Sequence, residues 1–171
     1  QQGYEVLSQK SLPLHAHDKL QFHVKLSATS YVYLYLIDTN GVPERLWPKT
    51  AEDLDRQKPV AELWAPPLAS EGQKQDMYFL DELHGQDTVL VATAQQPLSL
   101  ADLQDVEAVR LRLGPVAGNQ PNLVSFRRAE NERGIGGIVE TDKALPVEFD
   151  RFTEQRSRVF DGYTGIVFPH E

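Results

Sequence analysis

Residues 20–48, LQFHVKLSATSYVYLYLIDTNGVPERLWP, constrain the fold more than any other stretch of the chain. The first part alternates: Leu20, Phe22, Val24 and Leu26 point one way, Gln21, His23 and Lys25 the other. A period of two puts every apolar side chain on one face of a pleated strand, so this strand is half buried. A polar break follows at Ala28, Thr29 and Ser30. Residues 31–38 then carry Val32, Leu34 and Leu36 on one face and Tyr31, Tyr33, Tyr35 and Ile37 on the other. Both faces are apolar or aromatic, the pattern of an interior strand covered above and below. Buried tyrosine hydroxyls need partners, which places the ring tips toward the sheet margin.

Asp38-Thr39-Asn40-Gly41 supplies the turn that ends this strand. Asp and Asn side chains bond back to nearby backbone, and Gly41 provides a positive φ. The return through Val42-Pro43-Glu44-Arg45-Leu46-Trp47-Pro48 completes a hairpin. Because Pro43 cannot donate to a ladder, the return strand belongs at a sheet edge or begins just after it.

Elsewhere the pattern is thinner. Residues 4–8 offer a first strand, and 49–75 read mostly as connection around one apolar cluster at 60–64. Strands are expected at 77–83 and 88–94, separated by a turn at 84–87. Ser99, with Asp102 three residues on, caps a helix whose entry is stapled by Leu98 and Leu103. Leu100, Leu103, Val106 and Leu113 form its apolar stripe, although 109–113 also alternates as a strand would. Short apolar runs follow at 123–126, 135–139, 147–149 and 165–168. These elements predict a mainly β fold: an Ig-like or Greek-key β-sandwich with one helix near residues 99–113, an α+β sheet being the alternative. The 171 residues suit a single domain, with a β core over 4–113 and a C-terminal extension, 114–171, packed on it.

Composition narrows the functional classes. With no cysteine, the chain has no disulfide, thiolate metal site or cysteine nucleophile. The net charge of −8 is concentrated in residues 52–87, where nine acids face Arg56, Lys58 and Lys74. Such a region repels nucleic acid and anionic membranes. From 127 to 158 seven bases meet seven acids, an ordinary mixed surface. No transmembrane segment and no signal peptide is evident. The Gln1-Gln2 start without Met is expected of a fragment of something longer.

Candidate chemistry is sparse. His15 and His17, if on a strand, would share one face about 7 Å apart, and with His84 or an acid as third ligand could grip a cation. Two exposed histidines at a strand entrance is the plainer reading, so neither metal nor cofactor is expected. No serine sits in a nucleophile elbow. Residues 133–137 are glycine-rich but lack the Lys-Ser/Thr of a phosphate loop. Carboxylate pairs such as Asp53/Asp55 and Asp81/Glu82 lack the apolar surroundings that raise one pKa for acid catalysis. The aromatic set offers more. Tyr33 and Tyr35, with Trp47 and Trp64, could stack a sugar or grip a peptide if exposed, or could be core packing beneath the helix.

LPLHAHDKLQFHVKLSATSYVYLYLIDTNGVPERLWP resembles the opening half of the bacterial domain-of-unknown-function family 4384. There an extended strand, a tyrosine-rich strand, an Asp-x-x-Gly turn and a Leu-aromatic-Pro step follow one another. HGQDTVLVATAQQPL resembles that family's later Gly-led turn, hydrophobic strand and Pro-Leu step. The resemblance spans residues 10–100 and departs at His17-Asp18, where the family usually shows Gly-Asp. It implies an accessory module of larger bacterial proteins, including protein kinases and caspase-like proteases, and brings no activity or agreed functional residues. The expected function is therefore a non-enzymatic accessory or regulatory module that binds a protein partner or a neighbouring domain. The alternatives are a carbohydrate- or cell-wall-binding module and a metal-dependent enzyme built on His15 and His17.

Overall fold

The computed structural model describes residues 12–108, 124–129 and 159–171. In chain order these form β1 (Lys19–Leu20), β2 (Phe22–Ile37), β3 (Pro43–Trp47), α1 (Ala51–Arg56), β4 (Val60–Ala65), β5 (Tyr78–Phe79), β6 (Gly85–Ala94), α2 (Leu100–Glu107), β7 (Val124–Ala129) and β8 (Gly162–His170). One six-stranded sheet runs β3-β2-β6-β8-β7, with β4 joined to β2 off that path, and β1 and β5 make a separate two-stranded sheet. Every pairing is antiparallel. The fold is mainly β and sandwich-like, as the strand pattern predicts.

β2 organises it. Residues 22–37 form one 16-residue strand where the polar break suggested two. The break marks a change of neighbours. Phe22 to Lys25 pair with β4, Tyr31 to Ile37 pair with β6, and Leu34 to Ile37 also pair with β3. Against β4 the register slips between Lys25 and Ser30. Ser27, Ala28 and Thr29 are exposed at this crossing, so the polarity reflects lost neighbours and not a reversal of the chain.

The β2–β3 hairpin forms as expected. Gly41 has φ 75°, its N–H donates to the Asp38 carbonyl at 2.8 Å, and the Val42 N–H donates to Asp38 Oδ1 at 2.8 Å. Pro43 opens β3 at the sheet edge, where its missing donor is harmless. Thr39 in this turn lies against Gly85 at the start of β6, where an added Cβ would collide with the Thr39 side chain. Gly85 also sits at φ 151°, so this close approach depends on glycine. The expected turn at 84–87 is thus already the start of β6.

Both faces of β2 between residues 31 and 37 are covered. Tyr33, Tyr35 and Ile37 pack with Leu90, Ala92 and Ala94 of β6, Leu103 and Val106 of α2, Phe160 and Val167. On the other face Leu34 packs with Leu14, Leu46, Ala65, Leu80, Val89 and Phe168. α2 begins at the predicted place. Ser99 Oγ accepts the Asp102 N–H, the Asp102 carboxylate accepts the Ser99 N–H, and Leu98 packs beside Leu103. Its described extent ends at Glu107, and 109–113 lie outside the described residues.

Three expectations change. The connection at 49–75 contains α1 and β4, with α1 opened by a Thr50–Asp53 capping box of the same design as that of α2. The strand expected at 77–83 contracts to Tyr78–Phe79, paired with Lys19–Leu20. The C-terminal extension does not lie on a finished core, because β8 sits between β6 and β7 inside the main sheet and pairs with nine residues of β6. Segments 4–8, 135–139 and 147–149 lie outside the described residues.

Candidate functional site

The tyrosine ladder is core. Tyr33 and Tyr35 are fully buried, each against Phe160, with ring centroids 5.8 and 6.4 Å apart. Neither ring can stack a ligand, which removes both from the candidate set. Their hydroxyls differ. Tyr33 Oη accepts the N–H of Leu98 at 2.9 Å, tying the strand to the entrance of α2. Among the described residues Tyr35 Oη has no hydrogen-bond partner; it lies near Arg45 and Glu107, an ion pair at 3.2 Å that links β3 to α2. Burial raises the pKa of both phenols.

Trp47 and Trp64, close in sequence, are parted by the fold. Trp47 ends β3 and packs into the second core cluster beside Leu63. It forms one wall of a cleft of about 150 Å³ with Val32, Asp53, Gln57, Val60 and Leu63. The Gln57 Nε2 donates to the Val32 carbonyl at 2.6 Å, between the residues of β2 that pair with β4 and those that pair with β3. Next to Leu63 on β4, Trp64 faces the opposite way, because side chains alternate along a strand.

That opposite face carries the most organised exposed group of side chains. Register sets His23 of β2 across from Trp64 of β4 and Lys25 across from Glu62. The His23 and Trp64 rings stack at 3.9 Å with only 8° between their planes. His23 Nε2 and Glu62 Oε1 lie 2.5 Å apart. The His23 side chain is 30% exposed and that of Glu62 54% exposed, so the group sits at the surface and not in the core. The hydrogen bond from His23, helped by the nearby charges of Lys25 and His23, holds the Glu62 carboxyl below its ordinary pKa. A half-buried indole, braced by an imidazole that is itself anchored to a carboxylate, thus stands rigidly on an open strand face.

His15 and His17 are not on a strand. They belong to a turn closed by the Asp18 N–H donating to the His15 carbonyl at 3.0 Å, and the His15 N–H donates to Asp18 Oδ2 at 2.9 Å. His17 is at φ 71° and faces Glu82 at 3.7 Å, both well exposed. Among the described residues no three His, Cys, Asp or Glu side chains are placed to hold a metal ion. No helix among them is long and apolar enough to cross a membrane.

Of the sequence candidates only Trp64 reaches the organised surface. His23 and Glu62, its partners there, were not singled out as ligand-binding residues. The alternation of 20–26 did put His23 on the outward face, but nothing in the sequence sets the register of β4 against β2. Searches of family models, of curated proteins and of solved structures give no match to this chain.

Proposed function

We propose that this chain is a non-catalytic accessory module that docks on a protein partner or a neighbouring domain through the outer face of the β2–β4 ribbon. The observation that carries the reading is the Trp64–His23 stack fixed by Glu62. A tryptophan already immobilised at the surface gives contact area with little further loss of rotamer freedom, which is why such residues dominate interface energetics. The resemblance over residues 10–100 supports the same reading. Where the resembled family carries Gly-Asp, His17 adopts the left-handed backbone that glycine favours. A carbohydrate-binding reading retains Trp64 and Trp47 but has lost the ladder on which it chiefly rested.

The test is site-specific photo-cross-linking in cells from position 25, exposed on the same face across from Glu62, with position 71 in the exposed loop near Gly72 as control. Docking predicts a discrete protein adduct, or a cross-link to another domain of the same polypeptide, from position 25 only. Trp64→Ala should abolish it while the circular dichroism spectrum is retained. Equal labelling from both positions, or none from either, would overturn the proposal.

A further inference from the structure

We infer that the β2–β4 face takes an arginine-bearing extended segment, the guanidinium lying against the Trp64 ring and pairing with the Glu62 carboxylate. This rests on the docking reading above and adds the chemistry of the partner. Three observations lead to it. Glu62 is ionised and over half exposed, yet its position is fixed by His23 and not left to rotate in solvent. The indole two residues along the same strand face is held in place from one side by His23, leaving part of its surface open. The surrounding chain is anionic: residues 52–87 hold nine acids and three cations, in a protein of net charge −8.

A fixed carboxylate beside a flat aromatic surface matches a planar cation better than a spherical one. Guanidinium stacks on indole and bonds a carboxylate through paired N–H donors, whereas an ammonium presents a compact, strongly hydrated charge. The anionic surroundings add long-range attraction for a basic segment. Lys25, across from Glu62 on the same face, is a cation that competes with an incoming arginine for that carboxylate. Lys25→Ala should therefore tighten binding.

The experiment uses the whole chain and the peptides acetyl-Arg-Ser-Arg-Ser-Arg-Ser-amide and its lysine counterpart at low ionic strength. Trp64 is followed by fluorescence in a Trp47→Phe background, and by its indole N–H resonance in the unaltered protein in case that substitution disturbs the core. Saturable binding of the arginine peptide is expected, about tenfold tighter than the lysine peptide, weakened about tenfold by Glu62→Gln and lost with Trp64→Leu, this last variant being followed by titration calorimetry because it carries no reporter indole at the site. Added salt should weaken all of it. Absence of saturation, equal affinity for the two peptides, or indifference to Glu62→Gln would each overturn the inference. If cross-linking from position 25 succeeds and the arginine peptide fails, the face docks a partner of other chemistry. If both fail, the docking reading falls with it.

Discussion

The two halves of β2 share one backbone and one alternation, yet they do different work. Between Tyr31 and Ile37 the strand has β6 on one edge and β3 on the other, with core on both faces. From Phe22 to Thr29, β4 is its one described partner; Phe22 and Val24 face inward while His23 and Lys25 stay exposed. Odd-numbered residues thus pass from a solvent platform at His23 to the centre of the core at Tyr33 within one continuous strand. Burial here is decided by what the neighbouring elements cover, and the same period-two pattern can serve stability at one end and recognition at the other.

The comparison breaks most visibly through truncation. Tyr35→Ala should cost about 3–5 kcal/mol by denaturant unfolding, as large-to-small changes in a sealed core do, and His23→Ala less than about 1 kcal/mol. Comparable losses at the two positions would mean that the halves are not energetically distinct. A subtler pair separates the two buried hydroxyls. Tyr33→Phe leaves the Leu98 N–H without its acceptor and should cost about 1–2 kcal/mol. Tyr35→Phe removes a hydroxyl with no hydrogen-bond partner among the described residues, so its unfolding free energy should stay within about 0.5 kcal/mol of that of the unaltered protein.

The caps should follow the same division. Ser99→Ala frees the start of α2, which roofs the buried half, and should lower global stability by about 1 kcal/mol. Thr50→Ala removes an identical cap from α1, a short helix with no buried residue, so its effect should be confined to faster amide exchange over residues 51–57. The smallest expected effect concerns acid. The folded-state pKa of Glu62 is depressed, so its contribution to stability is present above the unfolded value and is lost as pH falls through the folded one. Glu62→Gln should be slightly less stable than the unaltered protein at neutral pH and converge with it in acid, which flattens the acid limb of the stability profile below about pH 5. An unaltered acid limb would show that the His23–Glu62 bond contributes nothing to folding.

Much of the fold was legible because local rules suffice for it. Alternation identified the interior strand at 31–38, turn chemistry fixed the hairpin at Asp38–Gly41, and Ser99 with Asp102 located the start of α2. The same capping signature at Thr50 and Asp53 could have revealed α1, but no apolar stripe follows it and the surrounding prolines suggested a loop. Amphipathic patterning betrays only those elements that bury a broad face, and α1 has no fully buried residue, with Leu54 alone of its hydrophobic side chains packed against the core.

The sequence alone therefore determined the interior strand, the hairpin turn that ends it and the start of α2, since these depend on φ, ψ and side-chain type within a few residues. The tertiary structure decided that one strand runs through the polar break, that β8 enters the sheet between β6 and β7, and that Trp64 meets His23 while Tyr33 and Tyr35 vanish under α2. Each of these depends on neighbours dozens of positions away in the chain. Long-range register comes from the packing of whole elements, a sum over many weak contacts that no single stretch of the chain encodes.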